Sequence, residues 1–140
     1  EYQPLTQGQL VGLQVQAPSL QRLFIDAGLA FSDYRISLEL VKETQKQAVS
    51  VEGPNLAGLM QKWINALADL FQEHGYLPYR IVFTHFDGRR LEATLSGEAY
   101  EPTRHGYARP CKTIDSLSIC LEEVPGKEGE FLTRFFWAAV

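Results

Sequence analysis

A regular apolar stripe between Pro54 and Gly75 constrains the fold of this chain more than any other feature. Its apolar residues recur at the spacing of one helix face: Leu56, Leu59, Met60, Trp63, Leu67, Leu70 and Phe71. Pro54 is tolerated in the first turn of a helix, and Gly75 is a natural C-terminal cap. The stretch therefore predicts a helix whose apolar face must be buried against another layer of structure.

A second helical stripe begins after Ala17-Pro18-Ser19, where Ser19 is a good N-cap. Its apolar residues again share one face: Leu20, Leu23, Phe24, Ala27 and Phe31. We expect Ser32 and Asp33 to end this helix. Two amphipathic helices in one chain need a common apolar surface to cover.

Shorter segments with alternating apolar residues supply that surface, because alternation at every second residue is typical of strands. They are Leu10–Val15, Ile36–Leu40, Val49–Val51, Tyr79–Thr84, Leu91–Leu95, Leu117–Leu121 and Phe131–Val140. Asp87-Gly88 and Pro125–Gly129 predict the turns of two hairpins. The order of elements predicts an α+β fold, with two helices packed on one face of a mostly antiparallel sheet. At 140 residues, we expect residues 1–140 to form a single domain.

The composition narrows the function. The formal net charge is -4, so we expect no general attraction to a nucleic acid backbone and no direct nucleic acid binding. A basic partner or a very local basic patch fits better. Cys111 and Cys120 lack CxxC spacing and suggest reduced thiols, and no apolar span suits a membrane helix. We therefore expect a cytoplasmic protein.

The run from Gly97 to Lys112 concentrates cationic side chains in an otherwise acidic chain. It contains Arg104, His105, Arg109 and Lys112, and it lies between two predicted hairpins. His105 is expected to be accessible, either as a proton donor or contact near neutral pH or as an ordinary surface imidazole. The basic residues suit an anion, such as a phosphate or a carboxylate of a partner. Glu98 is expected to form an ion pair with Arg104 or Lys112 that shapes the loop.

Other chemistry has little support in the sequence. The three histidines follow none of the zinc patterns, and neither a nucleophile motif nor a glycine-rich phosphate loop is present. Glu122 and Glu123 are adjacent on a strand and point to opposite faces, so they cannot converge. In Phe135-Phe136-Trp137, one ring must face away from its neighbours.

Three segments resemble the archease family. Ala17 to Ala27 is similar to the family's "ApSLeeLFedAA" helix start, and Leu59 to Leu67 to its "LLvdWLNeLL" helix. Gly97-Glu98, Arg104-His105 and Lys112 match its "GEplDpeRHelkteIKavTyH" segment, with polar residues at matching separations.

The resemblance implies a small cytosolic α+β protein of the SHS2 type. Archeases act as protein cofactors of RtcB-type RNA ligases in tRNA splicing and RNA repair, promoting guanylylation and turnover of the ligase. They also bind a divalent cation through acidic residues near both chain ends. For this chain the resemblance implies a structural or partner-contact role for the matching residues: Gly97, Glu98, Arg104, His105 and Lys112.

The chain departs from the family at the metal-binding positions. The family's "HTADiGL" is replaced by Gln7 to Leu13, so its His and Asp fall on Gln7 and Leu10. The "TyHgl" segment becomes Asp115 to Ile119, and the C-terminal "vvfDv" becomes Phe136 to Val140, without its Asp. Because Ca²⁺ and Mg²⁺ need hard oxygen ligands, we expect the family's metal site to be lost and no cofactor to be bound.

The leading hypothesis is a non-catalytic, archease-like protein cofactor that acts by protein binding. The partner would be an RtcB-type RNA ligase, contacted through Glu98, Arg104, His105, Arg109 and Lys112. The alternative is a metal-free, divergent module that binds a small ligand or another protein. A third hypothesis, an enzyme with His105 as acid–base and Glu98 or Lys112 assisting, rests on clustering alone.

Overall fold

The computed structural model describes residues 2–8, 10–109 and 119–138. In chain order its strands and helices are β1 (Tyr2–Gln7), β2 (Leu10–Ala17), α1 (Leu20–Arg35), a 3₁₀ turn (Leu38–Leu40), β3 (Gln45–Glu52), α2 (Leu56–His74), β4 (Tyr76–Phe86), β5 (Arg90–Ala99), α3 (Pro102–His105), β6 (Ile119–Glu123) and β7 (Phe131–Ala138). The α+β class is confirmed. None of the described helices combines the length and hydropathy needed to span a membrane.

The strands divide between two antiparallel sheets, where the sequence suggested one. One sheet has the order β1-β2-β7-β6 and the other the order β3-β5-β4. Both predicted hairpins are present, as β4–β5 and β6–β7. The first turns at Asp87, whose Oδ1 accepts the backbone N–H groups of Arg89 (2.9 Å) and Arg90 (2.7 Å). These bonds, with one from His85, lower the pKa of Asp87 to about 2.

Helix α2 follows the sequence prediction, except that Pro54 precedes the N-cap instead of lying in the first turn. The Asn55 side chain accepts the Gly58 N–H (2.8 Å), which caps the N-terminus, and Gly75 ends the helix at φ 63°, in the left-handed region. The indole Nε1–H of Trp63 donates to the Phe24 carbonyl in α1 (2.8 Å). This buried bond fixes how the two helices sit against each other.

Helix α1 is longer than the sequence predicted, and the expected end at Ser32 and Asp33 is wrong. The helix continues to Arg35 because the last turn is buried, with the Arg35 guanidinium 4.1 Å from the centre of the Phe71 ring. The Asp33 carboxylate does not break the helix. It accepts the Tyr2 hydroxyl (2.6 Å) and the Leu38 N–H (2.9 Å), and so holds the flanking segments.

Two further strand predictions were incorrect or incomplete. Ile36–Leu40 is not a strand, because Ile36 caps α1 and Leu38–Leu40 forms a 3₁₀ turn in which Leu40 is 44% exposed. Strand β1 was not predicted, because its alternation carries glutamines and Pro4 rather than apolar residues. It is formed by pairing with β2 along its whole length. Propensity was overridden by tertiary pairing in the second case.

One hydrophobic core joins both sheets and both long helices. Its largest fully buried side chains are Trp63, Tyr76, Phe24, Phe31, Phe135, Leu13, Leu23, Leu59, Met60, Ile64 and Leu67. α1 contacts β2 and β7 of one sheet and β4 of the other, so each sheet packs one face on the helices. In β7, Phe135 and Trp137 point into the core, and Phe136 faces outwards over Gly12 of β2, as the three consecutive aromatic residues predicted.

Candidate functional site

The loop that follows β5 is organised by the carboxylate of Glu98. Glu98 lies near the end of the strand and is buried, with 6% of its surface exposed. One oxygen, Oε2, accepts the Lys42 N–H (2.7 Å) and contacts His105 Nε2 (2.9 Å), and the other accepts Arg104 Nη2. The predicted ion pair between Glu98 and Arg104 is confirmed. Strand β5, the segment at Lys42 and the loop at Arg104 and His105 therefore meet at one side chain.

These contacts determine the charge of Glu98. Burial by itself raises the pKa of the carboxyl group, but hydrogen bonds from His105, the Lys42 N–H and Arg104 outweigh it, assisted by the Arg104 charge. The balance lowers the pKa of Glu98 to about 2. Glu98 is thus an ionised structural acceptor at neutral pH and has no proton to donate.

The prediction that His105 is accessible is wrong. Its side chain is fully buried, and both ring nitrogens are occupied. Nδ1 accepts the Glu101 N–H (2.8 Å), so the proton must be on Nε2, which donates to Glu98. The ring also stacks on Tyr100, whose hydroxyl donates to the Gly106 carbonyl (2.6 Å). His105 therefore closes the short helix α3 from inside, and neither nitrogen is available for acid–base work.

The side chains of Arg104 and Arg109 differ in how strongly they are bonded to the rest of the structure. Arg104 is partly exposed but donates both to Glu98 and to the Leu40 carbonyl (3.2 Å). Arg109 is held by its backbone, whose N–H donates to the Arg35 carbonyl (3.0 Å), while its guanidinium lies 4.9 Å from the centre of the Tyr34 ring. Lys112, the remaining cation of the predicted set, lies outside the described residues.

The candidate contact residues proposed from the sequence did not include the aromatic part of this surface. Tyr107 is 84% exposed, and the Arg109 guanidinium lies over the Tyr34 ring. Tyr107 is visible in the sequence as one of two tyrosines in the Gly97–Lys112 run, which has no apolar period. Tyr34 is not visible in this way, since nothing in the sequence indicates that the end of α1 lies beside the loop. Tyrosine and arginine together are typical of protein-binding surfaces.

The two N-terminal positions on which the resemblance places the family's His and Asp lie side by side. Leu10 pairs with Gln7 across β1–β2. Ala139, the position of the C-terminal Asp, lies outside the described residues. In this register Gln7 contributes one amide oxygen and Leu10 none. Among residues 2–8, 10–109 and 119–138, no group of three or more His, Cys, Asp or Glu side chains could hold a metal ion. A hard divalent cation takes six or more oxygen ligands, so the Gln7 and Leu10 side chains do not fit one. Asp115 lies outside the described residues.

The remaining candidates from the sequence have ordinary structural surroundings. His74 ends α2, where a cationic side chain complements the helix dipole, and His85 contacts Asp87 in the hairpin turn (3.1 Å). Cys120 is an exposed free thiol on β6, and Cys111 lies outside the described residues. The hydrogen bonds that the described residues make to Glu98 come from Lys42, Arg104 and His105, and not from His74, His85 or Cys120.

The geometry defines a class of protein: a two-sheet α+β fold in which a buried Glu–His–Arg network shapes an exposed, Arg- and Tyr-bearing loop. The model of the Archease protein family (MTH1598/TM1083) matches residues 11–127. That span is most of the 140 residues, and the chain belongs to the archease family.

Relatives and solved structures agree with this assignment. The chain is 29% identical to protein archease of Pyrobaculum neutrophilum over 98 residues, 68% of this chain and 67% of that protein. It is 33% identical to protein archease of Pyrobaculum calidifontis over 92 residues, 64% and 63% of the two chains. The matched stretch thus spans about two thirds of these relatives' length.

Two solved structures share the fold. The solution structure of Methanobacterium thermoautotrophicum protein 1598 has a TM-score of 0.74 at 17% identity, covering 98% of this chain and 97% of that one. The crystal structure of an archease from Thermotoga maritima, described as a possible chaperone, has a TM-score of 0.58 at 14% identity, covering 96% and 94%.

Proposed function

We propose that this protein is an accessory factor that acts by binding a protein partner, and that the partner is an RtcB-type RNA ligase of tRNA splicing or RNA repair. Family membership supports the proposal, and the loop geometry carries it. The loop presents Arg109 and Tyr107 outwards on a backbone fixed by a buried network. A rigid surface of this kind binds without paying for loop ordering.

The network assigns different roles to the five candidate contact residues. Glu98 and His105 are buried and shape the loop, so they act on the partner only through Arg104 and Arg109. Arg104 contributes its exposed part. Lys112 stays a candidate from the sequence. Glu98 is ionised and both His105 nitrogens are bonded, so these two described residues do not form an acid–base pair, which supports a non-catalytic role.

Guanylylation of the ligase tests the proposal. The cognate ligase is incubated with labelled GTP, with and without this protein, and covalent guanylate on the ligase is followed over time. We expect faster guanylylation and a complex detectable by size-exclusion chromatography. Unchanged guanylylation together with the absence of a complex would refute the ligase-activator role.

The alternative function is a metal-free module that binds a small ligand or another protein. The specific observation in its favour is the register that pairs Leu10 with Gln7, the two positions on which the resemblance places the family's Asp and His. Calorimetry with Ca²⁺ and Mg²⁺ distinguishes a metal-free module from one that binds a divalent cation. We expect no 1:1 binding in the micromolar range, and clear binding of either cation would overturn the metal-free proposal.

The location and the excluded partners follow from the same proposal. An accessory factor of an RNA ligase would work in the cytoplasm, away from membranes. With a net charge of -4, it would reach RNA through the ligase rather than by direct binding.

A further inference from the structure

A cavity of about 320 Å³ opens beside the exposed loop, between the end of α1 and Arg109. We call it the Tyr34 cavity. The lining groups that decide its chemistry are Tyr2, Asp33, Tyr34, Arg35, Tyr107 and Arg109. It therefore joins the start of β1, the last turn of α1 and the loop.

Three charged side chains line this cavity. Asp33 contributes one negative charge, and its oxygens already accept the Tyr2 hydroxyl (2.6 Å) and the Leu38 N–H (2.9 Å). Arg35 is buried, with its guanidinium 4.1 Å from the centre of the Phe71 ring. Arg109 is exposed, so its positive charge is the one that a ligand in the cavity can reach. His105 also touches the cavity, but both of its nitrogens are bonded.

The Arg109 guanidinium is oriented by an aromatic ring and makes few hydrogen bonds to the described residues. It lies over the Tyr34 ring at 4.9 Å, and among the described residues its hydrogen-bonding contact is one to the Tyr34 carbonyl at 3.5 Å. A guanidinium stacked on an aromatic ring keeps its edge N–H groups available for a bidentate acceptor. The neighbouring Tyr107 is 84% exposed and adds apolar surface at the mouth of the cavity. Arginine and tyrosine are the residue types that most often carry binding energy in protein interfaces.

The surroundings of Arg109 suit a single carboxylate better than the backbone of a nucleic acid. Asp33 lies in the same cavity, so one carboxylate is repelled less than a run of phosphodiesters, each of which carries its own negative charge. The acidic chain as a whole also repels a nucleic acid backbone. We propose that the Tyr34 cavity receives an aspartate or glutamate side chain of the protein partner, which pairs with Arg109. The inference rests on the proposed function, because it names the chemistry of the partner's contact.

Binding of the full-length chain to its cognate ligase tests the inference. The variants are Arg109→Ala and Arg109→Lys, with Arg89→Ala as the matched control. Arg89 is an exposed arginine that lies just before β5, at the opposite end from Glu98, about 30 Å away for a strand of this length. We expect Arg109→Ala to weaken binding about 10- to 100-fold, and Arg109→Lys to weaken it less, since lysine keeps the charge but loses the bidentate fork. Arg89→Ala should bind like the wild type.

An alanine scan of the ligase's exposed aspartates and glutamates then identifies the counterpart. We expect one of these alanine substitutions to weaken binding of the ligase to the wild-type protein. The same substitution should have no further effect on binding to the Arg109→Ala variant. The inference is overturned if Arg109→Ala binds within twofold of the wild type, or if no ligase carboxylate couples to Arg109. It is also overturned if the wild type binds single-stranded RNA and Arg109→Ala does not, which would assign the cavity to phosphate. A wild type that does not bind the ligase would instead refute the proposed function.

Discussion

Glu98 shows how a single residue can be essential to a surface that it does not touch. Its carboxylate is buried, ionised and bonded to Lys42, Arg104 and His105, so the path of the loop depends on its charge. In the sequence, its match to the family pattern suggested that Glu98 contacts the partner. In the structure it is a positioning residue for the cations outside it.

Replacing Glu98 with glutamine tests this role. Glu98→Gln keeps the size of the side chain but removes the charge, and we expect a loss of about 1–3 kcal/mol in the free energy of unfolding at pH 7. Chemical denaturation measures it. Glu101→Gln, an exposed neighbour, is the control and should stay within about 0.5 kcal/mol of the wild type.

The wild type and Glu98→Gln should also differ in how the free energy of unfolding depends on pH. The pKa of Glu98 is lowered in the folded state from 4.5 to about 2, so its contribution to stability is full above about pH 4.5 and is lost as the pH falls towards 2. The stability difference between wild type and Glu98→Gln should therefore shrink over that interval. A difference that stays constant from pH 7 to pH 3 would contradict a charged, buried Glu98.

His105 should behave as a structural residue. His105→Ala leaves the Glu101 N–H and the Glu98 carboxylate without a partner, so we expect a loss of about 2–3 kcal/mol. His105→Gln supplies an N–H donor near the position of Nε2 and should recover part of this loss. Thermal unfolding measures both. At temperatures where both variants are folded, we expect partner affinity to fall in the order wild type, His105→Gln, His105→Ala. Equal affinity of the three proteins would show that His105 does not position the loop.

At the scale of elements, β5 is the strand that connects the core to the loop. It is the central strand of its sheet, between β3 and β4. Its last residues include Glu98, and α3 follows shortly after. Gly97 lies where β4 approaches most closely, and a Cβ there would collide with the Leu77 carbonyl and the Pro78 backbone. The glycine before Glu98 is therefore required by packing, rather than by a turn.

Gly97→Ala should accordingly be more damaging than a usual strand substitution. The clash is with backbone atoms, which cannot move aside, so we expect a loss of about 2–3 kcal/mol. Ser96→Ala, at the preceding position on the other face of β5, serves as control and should change stability by less than about 0.5 kcal/mol. Equal effects of the two substitutions in urea denaturation would show that Gly97 is not under packing constraint.

At the scale of the whole molecule, the two sheets are joined by a shared core rather than by hydrogen bonds between them. The helices α1 and α2 pack between them, and Trp63 in α2 and Trp137 in β7 belong to one cluster of buried side chains. A shared core of this kind favours cooperative unfolding. The expectation of a single domain over residues 1–140 can be tested on that basis.

The two tryptophans of the chain serve as probes. Trp63→Phe leaves Trp137 as the fluorescent reporter, and Trp137→Phe leaves Trp63. We expect each variant to show the same urea midpoint by fluorescence and by far-UV circular dichroism, because unfolding of either sheet exposes the core of both. Trp63→Phe also removes the bond to the Phe24 carbonyl and should cost about 1–3 kcal/mol. Midpoints that differ between probes in either variant would indicate two units.

The sequence by itself determined the features that depend on local pattern. The α2 helix, its end at Gly75, and the β4–β5 hairpin at Asp87 were predictable because side-chain period, capping and turn chemistry act between near neighbours. The pairing of Glu98 with Arg104, six residues apart in one loop, was within reach for the same reason.

Only the tertiary structure decided what depends on distant neighbours. The extension of α1 to Arg35 and the meeting of Tyr34 with Arg109 rest on contacts between residues far apart in the chain. The burial of His105 depends on a loop path that is anchored at Leu40 and Lys42. Local pattern carries no information about which distant segment will cover a side chain. His105 looked accessible because its neighbours are loop formers, and it is buried because Glu98 and Tyr100 close over it.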